Sequence, residues 1–344
     1  MTASRRDLVV LGIAAAVASG LTRAADNTPL IIAHGGSTPD GAQATAAAYT
    51  LAVDQGADFL GVDLSVTKDG LLVARPDNEI STTTDVAARS EFANRRTSKT
   101  IDGQMTDGWF VEDFTVAELK TLICRPPGVA ARNRRDLRSA SSMLTFQEVI
   151  DIARAGSIRT GRVVGVYAQM LHAGYFASIG LPMEERLADA IRANGYNSPA
   201  AAMFVQSGEV GALKAIATLS RVRCTRTLVD GGRASGPPRR QSAILTTAPD
   251  FAEVRTYARA VALNGQAVAQ SPGAAAAMLA PLVVGAHEVG LLAHASASGA
   301  TTAAELASLF ETGIDGLITD APAVATRARG KALARMNRRS SAPG

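Results

Sequence analysis

Ile31-Ile32-Ala33-His34-Gly35-Gly36 leads, through a small-residue helical stretch from Thr45, to Gln55-Gly56-Ala57-Asp58 and then to Phe59-Leu60-Gly61-Val62-Asp63-Leu64. A short apolar run ends on a polar residue, a helix pattern follows, a glycine turn stops it, and a second apolar run begins. That order is a βα unit feeding a parallel strand. Working outward, strand-like runs recur at Leu30–Ala33, Phe59–Leu64, Val163–Tyr167, Ala202–Gln206, Arg223–Val229, Ala260–Leu263, Leu291–His294 and Gly316–Thr319. Helical patterns alternate with them at Thr45–Gln55, Phe146–Arg154, Met183–Ala193, Val210–Leu219, Phe251–Ala258, Ala276–His287, Thr302–Glu311 and Ala323–Arg327. Eight such units predict an α/β fold, a (β/α)8 TIM barrel over residues 29–328, whose chemistry would sit at the C-terminal ends of its strands. His34 occupies such a position.

The interval from about 71 to 145 is too long for a crossover and predicts a small insertion after the second strand. Trp109-Phe110, Phe114 and Leu119 give that insertion an apolar core of its own, while Arg125, Arg132, Arg134, Arg135 and Arg138 read as a solvated loop. A second loop is marked by the Gly, Pro and Arg residues of 231–240. The basic, small-residue-rich segment 329–344 is expected to be a flexible tail.

Residues 1–24 carry the twin arginine Arg5-Arg6, an apolar run from Leu8 to Leu21, and small residues at Thr22 and Ala24. This predicts a twin-arginine export signal, and so a periplasmic or extracellular location. The run is 14 residues, shorter than the roughly 18 that a spanning helix needs, and no later segment is apolar enough to cross a bilayer. Removing residues 1–24 lowers the formal charge from +4 to +2. With 4% aromatics, that near-balance argues against a nucleic-acid partner, which calls for a concentrated basic stripe and stacking rings. Cys124 and Cys224 have no spacing signature and read as free, buried thiols.

The quoted segment also resembles the glycerophosphodiester phosphodiesterase family, in its exported bacterial-type branch. That family's pattern is a strand ending His-Arg-Gly, a Pro-Glu-Asn-Thr helix start, a Gly-Ala-Asp turn, Glu-x-Asp, and Thr-Lys-Asp-Gly. Further matches are Thr67-Lys68-Asp69-Gly70, Thr83-Thr84-Asp85, Thr145-Phe146-Gln147-Glu148, Tyr175 through Pro182, Phe204-Val205-Gln206-Ser207 and Gly313 through Asp320. The resemblance implies hydrolysis of glycerophosphodiesters to glycerol 3-phosphate and an alcohol, with two histidines as acid and base, a carboxylate-held Ca2+ or Mg2+, and an arginine and a lysine on the phosphate.

Much of that set is replaced. His34 stands at the first histidine, but Gly35 takes the arginine's place, Gly61 and Gln169 those of two metal glutamates, Leu171 that of the lysine, and Pro76 that of the second histidine. Gln43 takes the place of the helix-start glutamate. Asp63 and Asp77 remain, as one metal carboxylate and the companion of the lost histidine. His172, just past Gln169, offers a substitute imidazole, although its neighbours Leu171 and Ala173 supply no orienting carboxylate. His294 falls where the family has the rim that grips glycerol, so Gln169, His172 and His294 are expected to line the substrate cleft. His287 reads as a capping or surface residue. The sequence thus predicts an impaired or inactive barrel without a resident cofactor, which keeps a cleft for a small phosphate- or glycerol-bearing ligand. The alternatives are a hydrolase rebuilt around His34, Asp63 and Asp77, and Ca2+ or Mg2+ binding as in the family.

Overall fold

The structure, a computed structural model, describes residues 28–38, 42–126, 142–228, 248–264, 274–297 and 302–340. The strands of the first two units are β1 (Leu30–His34) and β2 (Phe59–Val66), joined by α1 (Ala46–Asp54), whose first turn is capped by the Thr45 hydroxyl. After β2 the chain turns back as β3 (Leu72–Ala74), and the insertion adds the hairpin β4 (Thr97–Ile101) and β5 (Gln104–Gly108) and the short α2 (Val116–Leu119). The remaining units run α3 (Phe146–Thr160), β6 (Gly165–Met170), α4 (Ala173–Ser178), α5 (Met183–Ala193), β7 (Met203–Ser207), α6 (Val210–Leu219), β8 (Arg223–Leu228), α7 (Ala248–Tyr257), β9 (Ala260–Asn264), α8 (Ala274–Glu288), β10 (Leu292–Ser296), α9 (Ala303–Phe310), β11 (Gly316–Thr319) and α10 (Pro322–Ser340).

Eight of these strands are parallel and close on themselves in the order β1-β2-β6-β7-β8-β9-β10-β11, with β11 back against β1. This is the expected (β/α)8 barrel. β3 is antiparallel on β2, with Leu64 opposite Ala74 and so Asp63 opposite Arg75 at the end of the ladder. Alternation along each strand splits the apolar side chains into two sets. Ile32, Phe59, Tyr167, Phe204, Ala262 and Ile318 fill the barrel interior, and residues one step away, such as Ile31, Leu60, Val166, Val205 and Leu317, pack under the helices. The insertion has its own core of Val73, Ile80, Val86, Phe92, Val111, Phe114 and Leu122, closed by the capping box of Thr115 and Glu118. Trp109 is partly buried against that core and its Nε1 donates to the Phe92 carbonyl at 2.7 Å.

Several elements depart from the expected bounds by a few residues, and three of these departures are informative. α3 continues six residues beyond Arg154, because Gly156 lets the helix press on α1: a Cβ there would lie 2.9 Å from Val53 Cγ1. β6 is displaced toward the C-terminus and pairs with β2 through Asp63 opposite Gln169. The tail expected to be flexible is helical through Ser340, since its Ala, Arg, Lys, Leu and Met residues are strong helix formers interrupted only by Gly330. Residues 1–24, most of the arginine-rich loop and the 231–240 loop lie outside the described residues. Cys124 and Cys224 are free and buried.

Candidate active site

His34 ends β1 and presents Nε2 to Asp63 Oδ2 on the neighbouring strand at 2.9 Å. The Asp63 charge, with a smaller contribution from Asp320, raises the pKa of His34 against the opposing effect of burial. The chain can turn away from this residue only through glycine. Gly36 has φ +91° and a Cβ on it would stand 2.5 Å from the Ala48 backbone. Gly35 has φ +67° and lies under the Gln43 side chain, 3.2 Å from where a Cβ would be. Opposite His34, Gly61 leaves equally little room, since a Cβ would come within 3.0 Å of His34 Cα. β1 and β2 are therefore drawn together at the mouth by the absence of a side chain.

The mouth offers a poor donor set for a hard divalent cation. Position 61 has no side chain, position 169 carries an amide, and Asp63 has committed Oδ2 to His34. Calcium takes six to eight oxygens, typically from several carboxylates, and magnesium demands near-octahedral oxygen geometry. Among the described residues no three His, Cys, Asp or Glu side chains converge as metal ligands. Asp63 Oδ1 is buried without a hydrogen-bond partner, and one orphaned oxygen beside an imidazole does not make up the missing ligands.

His172 corrects the expectation drawn from its sequence neighbours. Its orienting carboxylates come from the insertion: Nδ1 lies 2.6 Å from Asp102 Oδ2, at the β4–β5 turn, and Nε2 lies 3.5 Å from Asp77 Oδ1. Both members of the closer pair have left-handed backbone, His172 at φ 53° and Asp102 at φ 49°. For Asp102, followed by Gly103 in a two-residue hairpin turn, that conformation is ordinary. For His172 at the start of α4 it is uncommon and turns the ring toward the insertion. Burial opposes the imidazolium, but hydrogen bonding and charge from Asp102 and Asp77 outweigh it and carry the His172 pKa up to about 9. An imidazole thus stands beside Asp77, one residue from Pro76.

A second polar join lies close by. Glu112 is buried and accepts from Tyr175 Oη at 2.6 Å, Lys99 Nζ at 3.1 Å and Asn78 Nδ2 at 3.2 Å. Burial, then Glu112, pushes the Tyr175 hydroxyl well above its ordinary pKa. α4 is thereby fastened to the insertion at both His172 and Tyr175.

His294 is not on the rim. It is fully buried inside the barrel, its Nδ1 2.9 Å from Tyr167 Oη and its ring edge-on to Phe204. Gly316 on β11 makes the room, since a Cβ there would sit 2.9 Å from the imidazole Cδ2. Burial lowers its pKa to about 4, so the ring is neutral and part of the interior packing. His287 binds Asp315 on the surface at 2.8 Å.

Sequence reasoning missed Arg75. It is 1% exposed, lies opposite Asp63 across the β2–β3 ladder, and donates Nη1 to Cys124 Sγ at 3.2 Å, leaving Nε without a partner. An arginine before a proline at a strand end carries no signal of burial, because the side chain's fate depends on the insertion that folds over it.

The arrangement is a barrel mouth with two imidazoles of raised pKa, three nearby aspartates and an insertion fastened over one side. Residues 34–324 match the profile of the glycerophosphoryl diester phosphodiesterase family. The chain belongs to that family. A glycerophosphodiester phosphodiesterase of Arabidopsis thaliana, GDPD6, is 33% identical over 178 residues, 49% of this chain and 45% of the relative. A glycerophosphodiester phosphodiesterase of Haemophilus influenzae is 28% identical over 198 residues, 55% and 52% of the two chains. The chain thus spans about half the length of these relatives. Solved structures share the fold at low identity. A glycerophosphodiester phosphodiesterase from Agrobacterium tumefaciens superposes with a TM-score of 0.58 at 16% identity, covering 86% of this chain and 98% of that one. An Oleispira antarctica phosphodiesterase in complex with its product sn-glycerol-3-phosphate gives 0.59 at 16% identity, covering 89% and 98%.

Proposed function

We propose that this member of the family has lost metal-dependent diester hydrolysis and retains its mouth as a site for small phosphate- or glycerol-bearing molecules, in a protein exported by the twin-arginine route. The observation that carries this reading is the pairing of Asp63 with His34, flanked by Gly61 and Gln169. The remaining carboxylate of the metal set holds a histidine instead, and no proton-transfer side chain stands at Pro76. Loss of one acid or base costs about 10²–10⁴ in rate, and loss of the cation removes further stabilisation of the phosphoryl oxygens. The ligand class rests on the family and on the glycerol 3-phosphate bound by the Oleispira relative. With Gly35 and Leu171 supplying no cation, the affinity for a phosphate monoester is weak, in the millimolar range of about 4 kcal/mol.

The test is metal content and glycerophosphocholine turnover on one purified preparation, together with thermal stabilisation by glycerol 3-phosphate with and without chelator. No turnover in Ca2+ or Mg2+, with chelator-insensitive stabilisation, is expected. Turnover abolished by His34→Ala and by chelator would sink the proposal. A second reading, a rebuilt hydrolase, is favoured by one observation: Asp102 orients His172 beside Asp77. Chelator-resistant turnover that disappears in His172→Gln would establish it in place of the first.

A further inference from the structure

α10 contains no acidic residue and six basic ones: Arg327, Arg329, Lys331, Arg335, Arg338 and Arg339. Its inner side is set by Ala325, Ala328 and Ala332, all buried, and by Arg329, which reaches the Pro29 carbonyl at 2.8 Å and Asp58 Oδ2 at 2.5 Å. Packing stops at Ala332. Ala334, Arg335, Met336, Asn337 and Arg338 are all exposed, although the helix continues to Ser340. At 1.5 Å per residue the last eight residues carry it about 12 Å further.

The two faces of this helix differ in character. At 3.6 residues per turn, Arg327, Lys331 and Arg338 fall within about 40° of one another, and each is exposed. The opposite side continues the core line through Leu333 and Met336, the latter 39% exposed. A helix end with basic residues along one face, and the exposed Met336 beside the partly buried Leu333 on the other, fits the interface of an anionic bilayer, where the apolar side enters the acyl boundary and the cations meet phosphate headgroups. Glu311 binds Arg335 at 3.2 Å, and among the described residues no ion pair engages Lys331 or Arg338.

We infer that the end of α10 docks this protein on an anionic phospholipid surface. This goes beyond the reading of the mouth and does not depend on it. Direction follows from topology: α10 starts just after β11, at the mouth end of the strands, and runs back along the barrel, so its protruding end lies on the face opposite His34. Docking there holds the mouth toward the aqueous phase.

The experiment is flotation of the full chain with vesicles of phosphatidylcholine alone or with a quarter phosphatidylglycerol. It is run at about 50 mM and about 500 mM NaCl, where screening shortens from more than roughly 10 Å to under roughly 5 Å. Binding is expected on the anionic vesicles at low salt alone. Lys331→Glu/Arg338→Glu is expected to lower the bound fraction at least about tenfold with an unchanged melting temperature, because both side chains are exposed. Met336→Asp lowers it without changing the Lys and Arg content. Equal binding to both vesicle types, unchanged binding of the charge-reversed protein, or retention by duplex DNA with none by anionic vesicles would each overturn the inference.

Discussion

Replacing His172 by glutamine removes a charge while keeping a polar side chain of similar reach, and so tests whether the imidazolium fastens the insertion to the barrel. The folded-state pKa of His172 is raised from 6.5 to about 9. A raised pKa contributes stability that is complete below the unfolded value and is lost as pH climbs through the folded one. The window is therefore about 6.5 to 9. At 1.36 kcal/mol per pKa unit the shift corresponds to about 3 kcal/mol. Asp77 is largely exposed, and screening of its share brings the expectation to about 2 kcal/mol. His172→Gln should be less stable than the parent by about that amount near neutral pH, with the difference shrinking toward zero near pH 10. The assay is urea unfolding across the window, followed by fluorescence and by circular dichroism. Trp109, the one tryptophan of the chain, sits on the insertion core and reports it specifically, while circular dichroism reports mainly the barrel. If the difference between the two proteins is the same at pH 7 and pH 10, the charge contributes nothing and the reasoning fails. Asp102→Asn should move the parent's transition toward lower pH, because it removes the closer carboxylate.

Other substitutions separate structure from function. His294→Ala should destabilise by about 2–4 kcal/mol, through the cavity and the stranded Tyr167 hydroxyl, and leave glycerol 3-phosphate binding unchanged; weakened binding in a fully folded variant would return His294 to the rim. Arg75→Met is expected to be neutral or stabilising by up to about 2 kcal/mol, since no described carboxylate pairs with this buried guanidinium; a large loss of stability in urea unfolding would show that its charge is compensated. Glu112→Gln should cost about 1–2 kcal/mol by exchanging the charged acceptor of Tyr175 and Asn78 for a neutral amide, while Lys99 keeps Asp113 at 2.7 Å, and the loss should register first in Trp109 fluorescence.

The barrel was legible because its signals are local. Each strand is a short apolar run bounded by a turn, and Met183–Ala193 and Val210–Leu219 coincide with their helices because the apolar period and the turn residues agree there. β4 and β5 were not individually legible. Thr97–Ile101 and Gln104–Gly108 are polar and largely exposed, so they lack an alternating apolar face, and the Asp102-Gly103 turn is their main local mark. The extension of α10 to Ser340 is hidden for the opposite reason: helix propensity is present, but a basic, small-residue composition also suits a frayed tail.

At the site, identity was legible and partnership was not. His34 and Asp63 could be placed on adjacent strand ends from the sequence, and their 2.9 Å contact follows from that register. The partner of His172 is 70 residues away in the chain, on a hairpin whose fold over the mouth depends on the insertion core. Judging its environment from Leu171 and Ala173 therefore tested the wrong neighbours. His294 is a similar case, because nothing in its own segment shows that Gly316, on the next strand, leaves a place for it inside. Both cases point to one physical rule for this barrel: what folds against an imidazole decides its charge. Carboxylates, from the next strand for His34 and from the insertion for His172, raise their pKa values against burial. Burial lowers that of His294, in the place that Gly316 leaves inside the barrel, and the sequence position of a histidine alone does not separate the two.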